Sequence, residues 1–145
     1  MLKIKKQIMS QMIVHAQSEK PNECCGLLAG SSDLITEIYP ISNLPSDDPR
    51  IADFHIPEDR TVRYLMDPKE QFLAQRKMRE LGLLFMGIYH SHPHSEAYPS
   101  QTDVRLAFYP DVFYFIVSLQ NREPKVSAFS IADQTIQNEE IVSVE

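Results

Sequence analysis

Two runs of almost unbroken apolar residues, at 83–89 and 112–119, constrain this chain more than any other feature. The first is apolar everywhere except Gly87, and the second mixes aromatic and β-branched residues. A strand with one wet face alternates apolar and polar side chains, so a run without alternation is a strand covered on both faces. Such a pair demands packed layers above and below a sheet. Two helices are available to supply them. Over residues 4–19, Met9, Met12, Ile13 and Ala16 fall at i, i+3, i+4 and i+7, one buried helical stripe that Pro21 and Asn22 bring to an end. Pro68 suits the first turn of a second helix, in which Ala74, Met78 and Leu81 face the core until Gly82 stops it.

The remaining segments have plainer signatures. Residues 24–29 are apolar, Gly30, Ser31, Ser32 and Asp33 make a turn, and 34–41 alternates around Ile35, Glu37 and Ile38, which predicts a hairpin. Residues 42–49 carry two prolines, two aspartates and two serines, a surface loop of the kind that borders sites. Strand-like residues resume at 53–56. A short helix fits 100–108, with Ser100 at its N-cap and Asp103 three residues on. Residues 125–131 and 135–144 close the chain as two strands around an Ala-Asp-Gln turn. Nothing resembles a repeat or a linker, so one domain is expected over residues 1–145.

Charge and cysteine usage exclude several classes. Fourteen Lys and Arg stand against 20 Asp and Glu, a formal charge of -6, which opposes a phosphate-tracking surface and hence a nucleic-acid partner. Cys24 and Cys25 are neighbours, too constrained to form an ordinary disulfide with each other, and read as reduced thiols. No apolar run approaches the roughly 20 residues that cross a bilayer. The basic start at Lys3, Lys5 and Lys6 lacks the apolar stretch of a leader. A cytoplasmic protein without a membrane partner is expected.

The chemistry concentrates in Tyr89-His90-Ser91-His92-Pro93 and in Ser100-Gln101-Thr102-Asp103. Residues two apart on a strand share a face, so His90 and His92 can present two imidazoles to one point. Asp103, eleven residues past His92, can return a carboxylate from the start of the next helix. Two imidazoles and a carboxylate would leave a tetrahedral zinc one position for water, the form of a catalytic site. Each residue also has a plain structural role. His-x-His on a strand is commonly mere packing, Asp103 reads as a helix-capping residue, and Ser100 as an N-cap.

The combined spacing His-x-His-x7-Ser-x2-Asp, with Glu23-Cys24-Cys25-Gly26-Leu27-Leu28 upstream, resembles the JAMM (MPN-plus) metallopeptidases. The strings Tyr-His-Ser-His-Pro and Ser-Glu-Ala-Tyr-Pro-Ser are similar to those of its short prokaryotic members. The resemblance implies one Zn2+ per chain held by His90, His92 and Asp103, Glu23 as general acid/base, and Ser100 as a stabiliser of the tetrahedral oxyanion. It also implies an α/β (α+β) fold, a cytidine-deaminase-like mixed β-sheet sandwiched by helices. The activity implied is hydrolysis after the C-terminal Gly-Gly of a ubiquitin-fold sulfur-carrier protein, releasing cysteine or a peptide.

Rival readings are specific. Glu96 is a competing carboxylate, but it lies four residues past His92 in a loop and reads as solvated or substrate-facing. His94 follows Pro93 and reads as lining a cleft or exposed, and His15 and His55 as structural or surface residues. Of Cys24 and Cys25, alternation sends one into the core and the other toward the site. A non-catalytic MPN-type scaffold is the alternative function, opposed by the complete ligand set. A zinc deaminase would need Glu two residues after its first ligand and a Pro-Cys-x-x-Cys pair, and neither is present.

Overall fold

A computed structural model of the chain describes residues 2–145. Eight strands form one mixed sheet: β1 (Leu2–Lys5), β2 (Cys25–Ser31), β3 (Leu34–Ile41), β4 (Leu84–His92), β5 (Phe113–Ser118), β6 (Lys125–Ala132), β7 (Thr135–Glu139) and β8 (Ile141–Val144). Three helices accompany them, α1 (Lys6–Glu19), α2 (Pro68–Glu80) and α3 (Gln101–Arg105), together with a 3-10 helix at Pro49–Phe54. The mixed sheet with helices on both sides agrees with the fold class expected from the sequence.

The strand order is β7-β6-β5-β4-β2-β3-β1-β8. Strands β7 and β8 lie at opposite edges yet are separated by Glu140 alone, so the sheet curls until one run of chain serves both edges. Inside the curl lies α1, whose Ile8, Met12 and Ala16 pack with Ile4, Leu28, Ile35, Tyr89, Phe115 and Val117. Outside it, Ala74 and Met78 of α2, Ile51 of the 3-10 helix and Leu106 after α3 pack on Leu27, Ile88, Tyr114 and Ile116. Strands β4 and β5 pair in parallel at the centre and contribute to both cores, which is why their sequences do not alternate.

The hairpin of β2 and β3 forms as expected, with Ser32 in the left-handed region. The β6–β7 turn has both Asp133 and Gln134 at positive φ, the backbone that suits a two-residue hairpin.

Four expectations are corrected. The helix placed over residues 4–19 begins at Lys6, because Leu2 and Ile4 are buried in a short strand lodged between β3 and β8. Residues 53–56 are not a strand. Asp48 accepts from the Arg50 amide and Pro49 presets the first φ, a start signal that nucleates the 3-10 helix. Leu81 is 54% exposed, since α2 ends at Glu80 and Gly82 at φ 70 turns the chain away. The run at 135–144 divides at Glu140 into β7 and β8, which pair with β6 and β1. No helix among the described residues is long and apolar enough to cross a membrane.

Gly30 sits at a register shift of the β2–β3 pairing, and a Cβ there would meet the Leu34 carbonyl and the Ile35 Cα, backbone atoms that cannot rotate aside. Gly30→Ala should therefore lower unfolding stability by about 1–3 kcal/mol. Urea titration of the two proteins measures the difference.

Candidate metal centre

Strand β4 is held on one side by β2, with Cys25 opposite His90, and on the other by β5, with Ile116 opposite His90. The ladder continues past β2: the Ser91 amide donates to the Cys24 carbonyl at 3.1 Å, and the Ser91 hydroxyl accepts from the Cys24 amide at 2.7 Å. A strand so fixed carries His90 and His92 rigidly on its outer face. Helix α3 brings the carboxylate. Ser100 Oγ accepts from the Asp103 amide at 3.0 Å and Asp103 Oδ2 accepts from the Ser100 amide at 2.9 Å, a reciprocal capping box. The same Oδ2 lies 3.0 Å from His90 Nε2 and 2.9 Å from His92 Nε2. Capping and ligand geometry are thus compatible in Asp103.

Glu23, His90, His92 and Asp103 are all buried, and each offers one ligand atom within 4.8 Å of every other. The tautomer of His92 follows from its neighbours. Its Nδ1 stands 2.7 Å from the Glu96 carbonyl and must donate to it, so the neutral ring has a lone pair at Nε2. That lone pair faces Asp103 Oδ2 and, at 3.1 Å, His90 Nε2. Two acceptors, His92 Nε2 and Asp103 Oδ2, face each other with His90 Nε2 beside both, and a cation between the three atoms fits this arrangement. Their separations lie close to the edge of about 3.4 Å that a tetrahedron with 2.0–2.1 Å bonds would have.

Burial shapes the charges. Burial pulls the His90 imidazole below its ordinary value, although Asp103 opposes this. Burial also works against the charged form of His92, but the hydrogen bond and charge of Asp103, with the Glu96 carbonyl, outweigh it and raise the value. Asp103 feels the same burial, yet His90 and His92 hold its carboxyl well below the usual carboxylate range. Glu23 is the opposite case. It is 4% exposed, its Oε1 has no hydrogen-bond partner, and burial, then the charge of Asp103, push its carboxyl up to about 10 against a smaller pull from Arg63.

Ser100 is not one of the four clustered residues. It adjoins them through Asp103, with its hydroxyl accepting in the capping box. The Glu96 side chain is exposed and only its backbone carbonyl takes part, orienting His92. His94 is exposed, as is His55 at the left-handed end of the 3-10 helix, while His15 shares a 2.7 Å hydrogen bond with the Tyr89 hydroxyl on the inner side of the sheet. Cys24 packs in the inner core and Cys25 in the outer one. Burial pushes the Cys24 thiol up to about 12 and that of Cys25 well above its ordinary value, so neither is poised as a nucleophile.

The sequence reading missed the frame behind Glu23. Arg63 is wholly buried and, among the described residues, has no carboxylate within ion-pairing distance, giving its donors instead to the carbonyls of Pro57, Leu44 and Glu58 and to Asn43 Oδ1. Asn43 in turn donates to the carbonyls of Glu23 and Arg63, at 2.9 and 3.0 Å. The Glu23 amide donates to the Arg60 carbonyl at 2.8 Å. Tyr64, next in the chain, stacks on His90 at 4.4 Å between ring centroids. An arginine inside an apolar stretch, Arg63 between Val62 and Tyr64-Leu65-Met66, was the only trace of this frame in the sequence.

A buried cluster of two histidines and two carboxylates beside a curled mixed sheet is a donor set that could hold a metal ion, and comparison with known families identifies the class of protein that carries it. Residues 5–132 match the model of prokaryotic homologs of the JAB domain, and the chain belongs to that family. It is 34% identical to the CysO-cysteine peptidase of Mycobacterium tuberculosis, over 99% of this chain and 92% of that protein. It is 35% identical to the desampylase of Haloferax volcanii, over 79% of this chain and 76% of that one. The solution structure of a Desulfitobacterium hafniense protein superposes with a TM-score of 0.83 at 36% identity, covering 100% of this chain and 94% of that one.

The raised Glu23 value has a measurable consequence in chelator-treated protein. Between its ordinary value of 4.5 and about 10, the folded chain holds a proton on Glu23 that the unfolded chain has lost. This contribution to stability is complete below the lower value and fades as pH rises toward the upper one. Glu23→Gln removes the titration, so the variant should gain stability over the wild type progressively from pH 5 to pH 9, read from urea midpoints. An equal difference at both pH values would contradict the burial assigned to this carboxyl.

Proposed function

We propose that the chain is a zinc-dependent peptidase that hydrolyses the bond after the C-terminal Gly-Gly of a ubiquitin-fold sulfur-carrier protein, releasing cysteine or a peptide. One observation carries this: the His92 Nε2 lone pair, fixed by the Glu96 carbonyl, converges with His90 Nε2 and Asp103 Oδ2 beside an unpartnered Glu23 oxygen. Family membership and relatives named as peptidases support the reaction class. The cysteine-carrier and desampylase names support a ubiquitin-like substrate. We take residues 1–145 as one JAMM domain, working in the cytoplasm, where Cys24 and Cys25 remain free thiols.

His90, His92 and Asp103 would hold one Zn2+ per chain. Bound there, zinc would polarise the scissile carbonyl and lower the pKa of water to about 7. A cation held beside Glu23 would favour its carboxylate form against the burial that raises its affinity for protons in the metal-free chain, and that carboxylate takes the proton from the attacking water and returns it to the departing amine. The Ser100 hydroxyl accepts from the Asp103 amide, which leaves its own proton free to donate to the oxyanion. The Asn43–Arg63 frame keeps the Glu23 backbone in place during this transfer.

Glu23→Gln should keep about one zinc per chain and lose on the order of 10²–10⁴-fold in kcat. Asp103→Ala should lose the metal itself. Metal analysis and mass spectrometry of carriers ending in Gly-Gly-Cys or Gly-Gly-peptide measure both effects. Full turnover by the Glu23 variant would sink the proposal.

A further inference from the structure

A peptidase must discharge its leaving amine beside the group that protonates it. Glu23 borders a hollow of about 150 Å³, whose other walls include Glu19, Asn22, Ser42, Asn43 and Arg60. A cavity of about 150 Å³ admits a molecule of roughly benzene size. That is close to one small amino acid and far from a folded partner.

The charges of the wall narrow the occupant further. Among the described residues, the Arg60 guanidinium has no carboxylate within ion-pairing distance. Behind it, Arg63 spends its donors on neutral carbonyls and an amide. Burial first, and then the charge of nearby Arg60, disfavour the charged form of Arg63, against pulls from Glu23 and Asp59. The nearby donors of Ser42 are already given to Glu70, whereas those of Arg60 are unspent. Of the acids, Glu19 is half exposed and turned to His15 at 3.8 Å. Arg60, an arginine without an ion-pair partner on the wall of a small hollow, is a receptor for a carboxylate, which arginine binds by a two-pronged, charge-assisted contact.

We propose that this hollow is the leaving-group subsite and that Arg60 binds the α-carboxylate of a single C-terminal amino acid, making the chain an enzyme that removes one terminal residue rather than one that cuts isopeptide bonds. The assignment rests on the zinc-peptidase reading above. The scissile amide breaks between the glycine carbonyl and the amino acid nitrogen, water adds its hydroxyl to the carbonyl carbon, and the nitrogen leaves as an amine with the proton carried by Glu23. An isopeptide leaving group has no carboxylate at the corresponding distance from its nitrogen. Arg60 thereby distinguishes the two substrate classes by charge.

The test uses zinc-loaded protein and three carrier substrates: Gly-Gly-Cys with a free carboxyl, the same with a C-terminal carboxamide, and Gly-Gly joined to a lysine side chain. The free acid should be preferred over the carboxamide by about 10- to 100-fold in kcat/KM, as expected for loss of a charge-assisted contact. Arg60→Gln should reduce that ratio to near one, mainly by raising KM for the acid, with zinc content and melting temperature unchanged. Arg60→Lys should restore part of it. Equal cleavage of acid and carboxamide by the wild type, an undiminished preference in Arg60→Gln, or faster cleavage of the lysine-linked substrate would each overturn the assignment. If none of the three is cleaved with zinc bound, the peptidase reading falls, and this one with it.

Discussion

The site depends on the pairing of β4. Parallel bonding to β5 and antiparallel bonding to β2 leave the strand no freedom to twist, and the Ser91–Cys24 contacts extend the lock to the strand end. His90 and His92 therefore leave a rigid edge at a fixed spacing, and everything else is brought to them. The helix cap of α3 delivers Asp103, the Glu96 carbonyl turns the His92 ring, and Tyr64 covers His90 from outside. A site assembled this way spends little on reorganisation when a cation enters, because each donor is already held by a second contact.

Burial exacts a penalty here that the surrounding frame offsets. Glu23, His90, His92 and Asp103 are polar groups in a poorly hydrated place, and Glu23 Oε1, His90 Nδ1 and the Tyr64 hydroxyl have no hydrogen-bond partner. Unsatisfied groups of this kind each cost about 1–3 kcal/mol. Arg63 and Asn43 supply the compensation, cross-tying the loop of residues 42–48 to the segment at 57–66 and to the backbone of Glu23. The destabilised centre and the over-determined frame around it divide the labour between function and stability.

Local signals carried most of what was legible in the sequence. Burial on both faces erased alternation in β4 and β5, and period-2 spacing put His90 and His92 on one face. The Ser100–Asp103 cap announced its own helix. What failed was long-range. Strand β1 has four residues and exists because β3 and β8 lie beside it, so no pattern within it could declare it. Residues 53–56 look like a strand until the Asp48-Pro49 start is recognised. Asn43 and Tyr64 lie far along the chain from Glu23 and His90, the groups they hold, and Glu23 itself stood out only through the family pattern.

The run from β7 through Glu140 into β8 gives the sheet an unusual seam. Ten residues of chain cover β6 on one side and β1 on the other, so neither interior strand presents its bare backbone donors and acceptors to solvent. Peeling this segment away would uncover two templates at once for pairing between molecules. The β7–β8 run thus shields two strands with one short stretch of chain, and its own outer sides are the only strand edges left in the sheet among the described residues.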